Sequence, residues 1–135
     1  MLRRYLAERI AMFATLIDAA GTGKEGAHRF LDLFESDAIS AKGRDGCLMV
    51  MASNELRGHL PGYDFSTDYR SQMREQISRL VAQVLPPDVD ADLASARTDL
   101  LSTYLLGLHV VMRSGADPDE ISRNLKALHL TVDAW

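Results

Sequence analysis

The sequence predicts an all-α protein, an antiparallel bundle of about six helices. Three observations carry that expectation. Apolar residues recur at helical spacing in each long segment, no segment alternates as a half-buried strand would, and Gly or Pro marks most of the joins. The 135 residues fit one domain, 1–135, and can bury a substantial core.

The first helix is expected over Leu2 to Ala20, where Leu2, Tyr5, Leu6, Ile10, Phe13, Leu16, Ile17 and Ala20 keep helical spacing. Gly21-Thr22-Gly23 stops it. A second helix should run from about Lys24 to Ile39, burying Ala27, Phe30, Leu31 and Phe34. It ends in the polar stretch Ser40 to Gly46. Cys47 to Leu56 opens with six uncharged residues, so periodicity alone leaves strand or buried helix open. Few β-branched residues and the lack of neighbouring strand candidates favour a short helix. Gly58 to Gly62 reads as a turn.

From about Phe65 to Leu85 helical spacing returns, with Tyr69, Met73, Ile77, Val81 and Val84 on one face and Ser66 or Asp64 as N-cap. Pro86-Pro87 ends that helix. The next starts near Asp90 as N-cap and stops at Gly115, a natural C′ residue. Asp117-Pro118-Asp119-Glu120 is a strong start for the last helix, with the cap, a proline at the first helical position and an acid at the third. Ile121, Leu125, Leu128, Val132 and Trp135 form its apolar face.

The segment Asp99 to Gly115 is expected to be central and buried on two sides. Leu101, Leu105, Leu108 and Met112 make a bulky stripe, while Thr103, Gly107, Val110 and Ser114 fall nearly opposite and are small. Asp99, Ser102, His109 and Arg113, with Leu106 among them, form a polar wedge between. Gly107 in mid-helix costs about 1 kcal/mol relative to Ala, which fits a site where bulk would clash with an approaching helix. The last helix repeats the pattern with Ala127, Leu130, Thr131 and Ala134. Two consecutive helices with spare faces are most simply satisfied by a twofold dimer closing into a four-helix arrangement. The expected seam is Thr103, Leu106, Gly107, Val110, Ser114, Ala127, Leu130, Thr131 and Ala134, with Trp135 as further bulk.

Composition excludes several classes of function. A net charge of -4 argues against a nucleic-acid surface, which would be basic and clustered. The single Cys47 excludes an internal disulfide and suits a reducing, cytoplasmic setting. No apolar run approaches the ~20 residues of a bilayer span, so no membrane partner is expected. Arg3 and Arg4 before an apolar run imitate a signal peptide faintly, but Glu8, Arg9 and Asp18 break the pattern.

No catalytic constellation emerges, and no enzyme is expected. Glu25-Gly-Ala-His28 has the Glu-x-x-His spacing of a bundle metal site, but a di-metal bundle needs two such pairs. No metal and no cofactor are expected. Gly21 to Lys24 lacks the spacing of a phosphate-binding loop. Cys47 with His59 suggests a nucleophile, but Leu48, Met49, Val50 and Met51 around the thiol make it read as a small buried hydrophobe. Glu55 reads first as a salt-bridge partner. Aromatic and Met side chains on consecutive helices must face one interior, and Phe13, Phe30, Met51, Met73, Ile77 and Tyr104 are expected to border a partly apolar cavity.

The order of these features resembles the C-terminal domain of TetR-family transcriptional regulators. Gly46-Cys47-Leu48-Met49-Val50, continuing to Ala52 and Glu55-Leu56, resembles a Gly-Cys-Leu…Glu-Leu segment found in many of them. Leu101, then Leu106-Gly107-Leu108, followed by Arg113 to Asp117, is similar to their penultimate helix and turn, and the helix ending in Trp135 is similar in place and length. Leu2 to Ala20 resembles the connecting helix that follows the family's three-helix DNA-binding unit. The resemblance implies a ligand-binding and dimerisation domain, with small-molecule binding coupled to operator binding through a helix-turn-helix unit absent from this chain. The ligand it implies is small and apolar or aromatic. The competing expectation is a stand-alone helical dimerisation module that senses nothing.

Overall fold

A computed structural model describes residues 2–40 and 65–135. Within them the chain forms five helices: α1 (Leu2–Ala20), α2 (Gly23–Ala38), α3 (Phe65–Val84), α4 (Ala91–Arg113) and α5 (Pro118–Asp133). No strand occurs among the described residues, and the all-α expectation holds at that level. The expected short helix in Cys47–Leu56 lies outside them, as do Cys47, Glu55, His59 and the cap candidate Asp64. Ser66, the other cap candidate, lies inside α3 instead of before it.

Local chemistry explains the boundaries. Asp117 accepts from the Glu120 amide at 2.9 Å and Pro118 opens α5, so a missing proline N–H costs nothing there. Asp90 caps α4 by accepting from the Asp92 amide at 3.2 Å. Gly115 follows α4 with φ +108°, a left-handed conformation that lets the chain reverse into α5. At the α1–α2 corner the requirement is space: a Cβ on Gly26 would run into the Gly21 carbonyl. The backbone there can approach only because residue 26 has no side chain.

The helices form a bundle around one core. α2 packs against α1, α3 and α5, and α3 packs against α1, α2 and α4. Leu6, Phe13 and Ile17 of α1 meet Phe30, Leu31 and Phe34 of α2 and Met73, Ile77 and Leu80 of α3, all buried. Phe34 stands near the centre, its ring 6.1 Å from Phe13 and 6.4 Å from Phe30.

The expectation that α4 is central needs correcting. Among the described helices its backbone neighbours are α3 and α5 alone, so α2 and α3 are the hub. Its small face is left uncovered by the single chain: Thr103, Gly107, Val110 and Ser114 are all exposed. Its bulky face behaves as expected, with Leu101, Leu105 and Leu108 buried and Met112 half-buried. The polar wedge is split, since Ser102 and His109 are buried while Asp99 and Arg113 face solvent. No described helix is long and apolar enough to cross a membrane.

Candidate functional site

Four of the expected cavity residues, Phe13, Phe30, Met73 and Ile77, are completely buried at 0% exposure. Tyr104 is half-buried, and its hydroxyl donates to the Asn124 carbonyl at 2.6 Å, tying α4 to α5. Met51 lies outside the described residues. None of these five described side chains lines the clefts beside Trp135, beside Met112 and Ile121, or beside Arg74 and Leu106. They serve as packing where the structure describes them.

The residues expected at a dimer seam are placed differently. Thr103, Gly107, Val110, Ser114, Ala127, Leu130 and Ala134 are exposed, and Leu106 and Thr131 are half-buried. Leu130 at 62% and Val110 at 50% are the most exposed large hydrophobic side chains among the described residues. Gly107 has no atom within 4 Å of where a Cβ would stand. Nothing within the described chain therefore accounts for glycine in the middle of a helix, where it costs about 1 kcal/mol.

The exposed face of α4 is longer than the sequence reading recognised. Leu93, Ala96, Leu100, Thr103, Gly107, Val110 and Ser114 follow at alternating steps of three and four residues, and all are exposed and uncharged. That is a heptad stripe running the length of a 23-residue helix. Leu93 and Leu100, at 42% and 43% exposure, add bulk to its N-terminal half. Extending the three-four spacing back from Thr103 would have found them in the sequence.

Two polar clusters link helices of the bundle, one buried and one near the surface. In the first, Arg9 of α1 reaches Asp37 of α2 at 3.0 Å, with only 6% and 15% of their side chains exposed. His109 of α4 is buried beside them, packs edge-on to Phe34 with ring centroids 6.0 Å apart, and donates from Nδ1 to the Leu105 carbonyl at 2.9 Å. Burial holds its pKa down to about 4, and the Leu105 hydrogen bond opposes that only in part. The nearby Arg9 charge pushes the same way as burial and Asp37 the other way. This imidazole is neutral at pH 7.

The second cluster joins α2 to α5. His28 and His129 meet Nδ1 to Nδ1 at 2.7 Å with nearly coplanar rings, 8° apart. His28 Nε2 lies 2.7 Å from Asp133 and His129 Nε2 lies 3.3 Å from Asp32. The central link needs one Nδ1 to carry a proton and the other to be bare. Glu25, the partner that spacing suggested for His28, is exposed. No group of three or more metal-ligating side chains occurs among the described residues. Neither this pairing nor the Arg9–Asp37 pair was visible in the sequence, because each joins two different helices and helical spacing reports only on residues of the same helix.

A cleft opens at the end of the bundle where α2 begins and α3 ends. It holds about 630 Å³ and is lined by the first turn of α2, the Val84–Val89 segment, Arg97 and Trp135. Comparison of the chain with family models, curated proteins and solved structures finds no match.

Proposed function

We propose that this chain is the dimerisation and ligand-sensing module of a TetR-like transcriptional regulator, self-associating through α4 and α5. The observation that carries the reading is the uncharged heptad stripe from Leu93 to Ser114, exposed along its whole length. Such stripes exclude water by packing against another helix, and Gly107 at its middle would let two backbones approach closely. Ala127, Leu130, Thr131 and Ala134 supply a matching face on α5. The regulator context rests on the sequence resemblance, of which Leu101 to Asp117 and the last helix fall on described residues. Operator DNA would be reached through a helix-turn-helix unit outside these residues, consistent with a net charge of -4.

A second reading, a dimerisation module that senses no ligand, is favoured by the filled core at Phe13, Phe30, Met73 and Ile77. The cleft beside Trp135 favours the first. Sedimentation at micromolar concentration tests what the two share: the wild type is expected to run as a dimer and Val110→Glu as a monomer, because association would bury the new carboxylate without a partner. Gly107→Leu should act in the same direction. A small-molecule ligand that shifts the dimer equilibrium or its stability separates the two readings.

A further inference from the structure

The cleft at the head of α2 has the composition of a site for a small amphiphilic anion. Its walls are apolar: Val84 and Leu85 are buried behind it, and Pro86-Pro87, Val89 and Trp135 surround it. The two prolines fix the backbone of one wall, so the cleft is preformed and binding need not order it. Its volume of about 630 Å³ lies within the ordinary range for small-molecule sites.

Charge sets the class of ligand. Arg97 lines the cleft half-buried, its guanidinium 4.9 Å from the centre of the Trp135 ring, and no described carboxylate pairs with it. A guanidinium stacked on an aromatic face keeps its N–H edge free to grip a carboxylate in two parallel hydrogen bonds. Lys24 also lines the cleft, and its ammonium donates at 2.9 Å to a neutral acceptor, the Asp133 backbone carbonyl. Among the lining side chains Asp88 is the one that carries a carboxylate, against Arg97 and Lys24. The same rim carries the first turn of α2, where Thr22 makes no side-chain capping bond and the helix presents its positive end.

We infer that this cleft binds a small amphiphilic carboxylate, its apolar body against Val84, Leu85, Pro86 and Trp135 and its head group on Arg97 and Lys24. The purpose of such binding rests on the ligand-sensing reading above, while the chemistry of the site rests on the cleft alone.

Trp135 is the sole tryptophan, so its emission reports directly on the site. The probe is decanoate below its micellar concentration, with decyltrimethylammonium and decanol as cationic and neutral controls of the same chain length. Decanoate should change Trp135 emission saturably and give matching calorimetric binding, and Arg97→Gln should weaken it about tenfold. Arg29→Gln, on the exposed side of α2 and away from the cleft, should leave it unchanged. Circular dichroism confirms that the Arg97 variant is folded. No saturable decanoate binding, equal binding of the cationic probe, or full affinity in Arg97→Gln each overturns the site. Sedimentation with and without decanoate separates the two ideas. Decanoate bound through Arg97 with self-association unchanged leaves the site standing and removes its sensing role; self-association without decanoate binding does the reverse.

Discussion

The two sides of α4 are built from similar residues and meet opposite fates. Leu101, Leu105 and Leu108 point into the bundle, with Leu105 at 0% exposure, while Leu93, Leu100 and Val110 on the other side are 42–50% exposed. Both sides repeat at helical spacing and neither carries a net charge of its own. The inner side is explained by what it touches within the chain. The outer side is explained by nothing the described chain contains, and Gly107, with open space around it, makes the difference concrete. A helix patterned for burial on two sides but covered on one by the described chain is the central fact of this molecule.

Substitution on the two sides should show the contrast. Leu105→Ala removes a fully buried side chain and should cost about 2–5 kcal/mol of stability in urea unfolding. Leu100→Ala on the outer side should cost less than 1 kcal/mol in the monomer, its effect appearing in association instead. Similar losses for both under conditions that keep the chain monomeric would break the comparison.

The inner side also carries a titrating group, and the sign of its effect is fixed. His109 has a folded pKa of about 4 against 6.5 for an ordinary histidine, so below pH 6.5 the unfolded chain takes up a proton that the folded chain refuses. Its contribution to stability is therefore complete above pH 6.5 and is lost progressively as pH falls toward 4, with a total of order 3 kcal/mol. Unfolding measured across that window should show the slope, and His109→Gln should reduce it. No outer-side residue of α4 is expected to contribute a comparable slope, since that stripe has no titratable side chain.

The smallest effect sharpens where the comparison ends. Asp117 caps α5 at an exposed corner, and Asp117→Ala should cost about 1 kcal/mol without altering the dimer. A change in association from that variant would mean that the α4–α5 turn belongs to the seam.

What the sequence disclosed follows the range of the forces involved. Caps and stops are local, and Asp90, Asp117, Pro118 and Gly115 could be read from a few neighbouring residues. Helix faces are nearly local, and the buried sets on α2 and α3 follow directly from spacing. Position in the bundle is not local: α4 reads as central because it is the least charged, yet α2 and α3 hold the hub. Spacing puts His109 and Ser102 in one polar wedge with Asp99 and Arg113 and does not tell which of the four are buried; His109 and Ser102 are. The His28–His129 link and the cleft at Trp135 depend on residues more than a hundred positions apart, a distance over which spacing carries no information. Phe13, Phe30, Met73 and Ile77 read as cavity borders and are buried in the core for a related reason: aromatic and Met side chains fill space as readily as they line it.

The central claim, that the outer side of α4 is made for a second copy of the chain, is tested most directly by sedimentation equilibrium at micromolar concentration. The account predicts a dimer for the wild type and for Arg29→Ala, and a monomer of unchanged helix content for Val110→Glu. A compact wild-type monomer, or a dimer that Val110→Glu leaves intact, would contradict it.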